Sequence, residues 1–187
     1  MSIHEQIFPM DLAKGIRMLV LDIDGVMTAG QIFITDAGEQ IKAFNVRDGH
    51  GLKMLQRAGI EVAILTGRTS KVVALRAKEL GIEYVIQGSL RKADGIQALC
   101  EQAGIEASDC AYMGDDVIDL PAMRLCRLSM APSDAYQAVQ AQVDWVAAYA
   151  GGAGAVRQAC EGLILANDQW QHVLGEPYGV SPAQSGW

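Results

Sequence analysis

Six short apolar runs alternate with six amphipathic stretches of helical length, and few folds satisfy that order. The runs are 18–23 (MLVLDI), 62–66 (VAILT), 84–87 (YVIQ), 111–114 (AYMG), 127–131 (RLSMA) and 145–147 (WVA). Helical spacing covers 51–59, 70–81, 92–104, 115–125, 133–140 and 154–168, several closed by a glycine suited to a left-handed cap. Parallel strands need crossovers of helical length, and helices on both faces make strands continuously apolar. The order predicts an α/β fold: a doubly wound, Rossmann-like parallel sheet. At 187 residues, half of them hydrophobic, the chain can bury one core, expected over 1–168 as a single domain.

Two segments break the rhythm. Residues 30–46 (GQIFITDAGEQIKAFNV) alternate β-branched and aromatic residues around DAGE, which predicts a β-hairpin inserted after the first strand. Residues 169–187 contain Pro177, Gly179, Pro182 and Gly186 without a period, so an irregular tail is expected. Glu5 and Asp11 stand where a secretion signal would carry basic and then apolar residues, and no run is long enough to span a bilayer. A cytoplasmic protein is expected.

A net charge of −7 without any Lys/Arg run argues against nucleic-acid or anionic-membrane partners, so an anionic substrate would have to meet a few placed cations. Cys100, Cys110, Cys126 and Cys160 form no CxxC pair and read as small apolar residues in a reducing compartment.

Ligands of open parallel sheets bind at the carboxyl ends of the strands, which makes the residues after each run informative. The first run ends in Asp22 and Asp24, the second in Thr66, Gly67 and Arg68; Lys92 follows the third, and GDDVID with Asp115, Asp116 and Asp119 follows the fourth. Residues i and i+2 of an extended strand face one side, so Asp22 and Asp24 can share one space. Two anions there, joined by Asp115, repel unless a cation intervenes, and three carboxylates form an oxygen-rich site suited to Mg2+. Asp22 can then act as a carboxylate nucleophile toward a phosphoryl group, with Asp24 moving the proton of the leaving group and of water. Thr66 and Lys92 can bind the phosphoryl oxygens. An EF-hand is excluded, because its third ligand would be Val26 and its last Phe33. His50 reads as an incidental loop histidine, and GGAG at 151–154 as a turn into the last helix rather than a dinucleotide site.

DIDG, ILTGR, Lys92 and GDDVID together resemble the four motifs of the haloacid dehalogenase superfamily of aspartate-nucleophile phosphatases. The resemblance implies Asp22 as nucleophile, Asp24 as general acid/base, Thr66 and Lys92 as phosphate binders. It also implies a magnesium site of Asp22, Asp115 and the Asp24 main-chain carbonyl, with Asp116 and Asp119 in support. IDGVMTAGQIFITDAGEQIKAFNVRDGHGLKML and GGAGAVRQACEGLIL look like a capless family within it, the 3-deoxy-D-manno-octulosonate 8-phosphate phosphatases. That implies substrate contacts at Asn45, Val46, Arg47, Asp48, Gly49, Lys53, Gly67, Arg68 and Arg76, an acidic sugar phosphate as substrate, and a homotetramer. Met27 and Ala29 replace the leucine and aspartate usual in the family's DGVLTDG loop.

Spacing supports the absence of a cap. About 40 residues separate Asp24 from Thr66, and 22 separate Lys92 from Asp115, too few for an inserted domain. Neighbouring subunits are then expected to close the site, with the 30–46 hairpin as the contact and the tail reaching over a neighbour. A nine-carbon sialic-type sugar 9-phosphate remains an alternative substrate, and a non-catalytic binding module an alternative function.

Overall fold

The computed structural model describes residues 7–187; Glu5, weighed above in the reading of the N-terminus, lies outside them. After a short turn α1 (Met10–Ala13), the central strand β1 (Met18–Leu21) leads to a two-stranded antiparallel hairpin, β2 (Phe33–Ile34) and β3 (Gln40–Ile41). Helix α2 (Val46–Arg57), β4 (Glu61–Leu65), α3 (Lys71–Leu80), β5 (Tyr84–Ile86) and α4 (Lys92–Ala103) form one half. The other half comprises β6 (Cys110–Met113), α5 (Leu120–Met123), β7 (Leu128–Ala131), α6 (Gln137–Gln140), β8 (Trp145–Val146) and α7 (Ala155–Ala166).

The main sheet runs β5-β4-β1-β6-β7-β8, parallel throughout. Chain order along it reverses between β1 and β6, which is the switch point of a doubly wound sheet. Both faces are covered, and the pleat divides the strands between two cores. Leu19, Leu21, Val62, Ile64, Ala111 and Met113 pack under α2, α3 and α7. Met18, Val20, Ala63, Leu65, Cys110 and Tyr112 pack against α4, α5 and α6.

Six sheet strands fall where the apolar runs place them, but three helices differ. Helix α2 starts at Val46, earlier than its spacing suggests, because Asn45 caps it by accepting from the Arg47 N–H at 2.8 Å. The 115–125 stretch shrinks to α5, since Asp115–Asp119 is committed to a turn at the site, and the 133–140 stretch shrinks to α6, since Ser133 N–H donates to Tyr149 O and Ala135 N–H to Pro132 O. The tail is a series of short turns, at Gln171–Gly175, Glu176–Tyr178 (α8) and Pro182–Ser185, and it folds back on its own chain. Trp170 is buried, donating to Val180 O at 2.9 Å, and the Trp187 ring meets the Phe8 ring edge-on at 5.5 Å.

Candidate active site

The site lies at the β1/β6 switch point. Asp22 prolongs β1 in an extended conformation, with its N–H donating to Met113 O at 3.1 Å. The chain then turns over Ile23–Met27, broken by Asp24 (φ −77°, ψ 114°) and Gly25 (φ 91°, ψ −10°). Only Asp22 therefore continues the strand, and Asp24 stands on the turn. Gly25 is required twice over: its φ is positive, and a Cβ would sit 2.0 Å from Oδ2 of Asp115.

The turn is braced from behind by GGAG. Gly152 N–H donates to Val26 O at 2.8 Å, and a Cβ on Gly151 would lie 1.8 Å from Gly25 O. The motif is a close backbone approach leading into α7, as the missing GxGxxG spacing suggests.

A cavity of about 210 Å3 opens above these strand ends. Asp22, Asp24, Thr66, Gly67, Arg68, Lys92, Asp115 and Asp116, all singled out from the sequence, line it together with Leu90 and Ile118, which were not. Lys92, the first residue of α4, is buried and donates to Asp22 Oδ1 at 2.8 Å and Leu65 O at 2.7 Å. Its Nζ also stands 3.0 Å from Asp119 Oδ1. Thr66 is buried beyond β4, and its hydroxyl accepts weakly from the Arg68 N–H at 3.5 Å.

Asp119 organises the opposite wall. Its Oδ1 accepts the Tyr112 hydroxyl at 2.8 Å, and its Oδ2 accepts the N–H groups of Asp115 (3.2 Å) and Asp116 (3.4 Å). One oxygen from each of Asp22, Asp115 and Asp119 lies within 4.8 Å of the others. Since both Asp119 oxygens are engaged by hydrogen-bond donors, Asp22 and Asp115 are left to face a cation.

Electrostatics favour one. Burial raises the Asp22 carboxyl above its ordinary range and Asp119 adds to the effect, with Lys92 opposing. Asp115 is pushed up to about 7, first by burial and then by Asp22, Asp119 and Asp116. A carboxylate cluster this short of positive charge suits a hard divalent ion with oxygen donors.

Other expected contacts stand elsewhere. Asn45 caps α2 and donates to Gly152 O at 3.1 Å, and Val46, Arg47 and Lys53 are exposed on the same helix. Asp48 is buried, with its carboxylate accepting from Gly154 N–H (3.3 Å) and Arg157 N–H (2.8 Å). It joins α2 to the start of α7 and does not line the cavity. Gly49 leaves room for Arg76, whose Nη2 would stand 2.3 Å from an added Cβ and whose guanidinium lies over Phe44 while pairing with Glu79.

Two polar contributors, besides Leu90 and Ile118, carry no signal in the sequence. Tyr112 points inward from β6, and Lys42, on the hairpin, is buried in an ion pair with Asp24. An isolated lysine in an alternating hairpin carries no local signal.

The profile of the haloacid dehalogenase-like hydrolases matches residues 46–126. A 3-deoxy-D-manno-octulosonate 8-phosphate phosphatase from Escherichia coli (strain K12) is 43% identical over 164 residues, 88% of this chain and 87% of that protein. The structure of the phosphatase of that name from Moraxella catarrhalis, in complex with magnesium, phosphate and KDO, superposes with a TM-score of 0.85 at 40% identity. It covers 87% of this chain and 94% of that one. The cobalt-bound deoxy-D-mannose-octulosonate 8-phosphate phosphatase from Haemophilus influenzae gives 0.85 at 38% identity, over 90% of this chain and 99% of that one. With the strand order, the missing cap and the four strand-end motifs in agreement, the chain belongs to the haloacid dehalogenase-like hydrolases, in the branch of the octulosonate 8-phosphate phosphatases.

Proposed function

We propose that this protein is a magnesium-dependent phosphomonoesterase that converts 3-deoxy-D-manno-octulosonate 8-phosphate to the free sugar and phosphate, a step in lipopolysaccharide precursor synthesis in the cytoplasm. The observation that carries this is the convergence of Asp22, Asp24, Thr66, Lys92 and Asp115 on one cavity at the β1/β6 switch point. It is supported by relatives of that activity over most of the chain.

Asp22 and Asp115 would hold the ion through their carboxylates and Asp24 through its main-chain carbonyl. When bound, magnesium supplies charge neutralisation for the carboxylates and the transferring group. An Asp22 oxygen attacks phosphorus as the phosphorus–ester oxygen bond breaks, giving an aspartyl-phosphate, and Asp24 gives its proton to the leaving alkoxide. Water then attacks phosphorus, Asp24 takes the proton, and the bond to Asp22 breaks. Thr66, the Gly67 backbone and Arg68 hold phosphoryl oxygens. Lys92, shared by Asp22 and Asp119, fixes the nucleophile and offsets developing charge. Asp119 and Asp116 shape the loop that presents Asp115.

The cavity is open, and phosphoryl transfer profits from excluding water. The hairpin residues Phe33, Ile34 and Ile41 expose apolar surface, which supports assembly through the hairpin into a homotetramer whose subunits cover one another's sites. In that assembly Arg47, Lys53 and Arg76 are the cations available to the sugar carboxylate. The tail, docked on its own chain, does not support the idea that it reaches over a neighbour.

The test is phosphate release from eight- and nine-carbon acidic sugar phosphates with and without magnesium. The octulosonate 8-phosphate should be preferred and Asp22→Asn should abolish turnover with the fold intact. Equal rates on both sugars would defeat the substrate assignment, and an active Asp22→Asn the nucleophile.

A further inference from the structure

Lys42 is a charged residue on a two-stranded hairpin whose other prominent side chains, Phe33, Ile34 and Ile41, are exposed, yet its own side chain is 1% exposed. Burying an ammonium is costly unless it is paired, and an apolar residue would serve packing better. Its ionic partner is Oδ1 of Asp24, 18 residues earlier in the chain. The other oxygen, Oδ2, faces the Arg68 Nε at 3.9 Å on the cavity side.

We infer that Lys42 is a positioning residue: by engaging Oδ1 it fixes the Asp24 carboxylate so that Oδ2 is the atom that meets the leaving-group oxygen and, later, the attacking water. The inference rests on the assignment of Asp24 as the proton-moving group. Its physical basis is that a free carboxylate rotates about its terminal torsion, whereas one held at a single oxygen by a buried cation presents the other in a fixed direction. The hairpin is thereby part of the catalytic apparatus within its own subunit.

The step it acts on can be isolated by leaving group. An alkyl phosphate needs a proton at its leaving oxygen and p-nitrophenyl phosphate does not, while dephosphorylation of Asp22 is common to both. Lys42→Met, magnesium-loaded, is therefore followed by rapid mixing. With p-nitrophenyl phosphate it should release one p-nitrophenol per site at close to the parent rate and then turn over slowly; with the sugar phosphate the first step itself should fall, by about 100-fold. Lys42→Arg should restore both. Unchanged kinetics in Lys42→Met, equal slowing of the first step for both substrates, or a variant that melts far below the parent would overturn the inference, since the residue would then serve nothing or the fold alone. Asp24→Asn run alongside separates the two layers: if it lacks the leaving-group pattern, the assignment of Asp24 fails; if it has the pattern and Lys42→Met does not, only the role of Lys42 fails.

Discussion

Lys92 Nζ stands 2.8 Å from Asp22 Oδ1 and 3.0 Å from Asp119 Oδ1, so one buried ammonium is shared by two buried carboxylates. Removing one member of such a set leaves uncompensated charge, worth about 3–5 kcal/mol. Lys92→Met should lose stability of that order, read from urea unfolding in magnesium-free buffer. Adding Asp119→Asn should return part of it; an additive double variant would show that the three groups are not coupled.

Gly151 approaches the site loop backbone to backbone, where neither side can yield. Gly151→Ala should cost about 1–3 kcal/mol through overpacking, and it should cut turnover more severely because it displaces Gly25 and with it Asp24. Thermal melts and initial rates on the same preparation check both; a variant with parent-like activity would mean that the loop tolerates the shift.

The metal-free protein should lose stability as pH rises. Asp115 is raised from 3.8 to about 7 and Asp22 is raised as well, so between about 4 and 7 the folded state holds protons the unfolded chain has released. Their contribution is present at low pH and fades as pH climbs through that window. Asp115→Asn should flatten this part of the profile, and magnesium should raise the melting temperature more at pH 8 than at pH 5. A slope unchanged by Asp115→Asn would assign it to other groups.

Trp187 closes the tail against its own core, with its ring on Phe8 and its Nε1 donating to Glu161 Oε2 at 3.0 Å. Trp187→Ala should cost about 1 kcal/mol, the scale of an aromatic pair, with kcat and KM unchanged. A raised KM with parent stability would instead make the tail a lid over a site.

The six sheet strands and the presence of a hairpin were legible because burial on both faces leaves continuous apolar runs, and an alternating segment stands out beside them. The four strand-end motifs were legible for a related reason: strands such as β1 and β6 stop where polar side chains begin. The setting of Asp48 is not legible, because a carboxylate in this motif looks the same in sequence whether or not it accepts from backbone N–H groups, as Asp48 does from Gly154 and Arg157. Where the tail docks is not legible, because Trp170 and Trp187 find partners, Val180 and Phe8, that no local period encodes.

The sequence by itself determined which carboxylates, hydroxyl and ammonium stand at the ends of the central strands, since strand length and order follow from local hydrophobic patterning. Only the tertiary structure decided how they are held. Lys42 on Asp24, Tyr112 on Asp119, and Gly151 against Gly25 join residues 7 to 126 positions apart, and pairings at that range depend on how sheet, hairpin and helices pack, which short-range pattern does not carry.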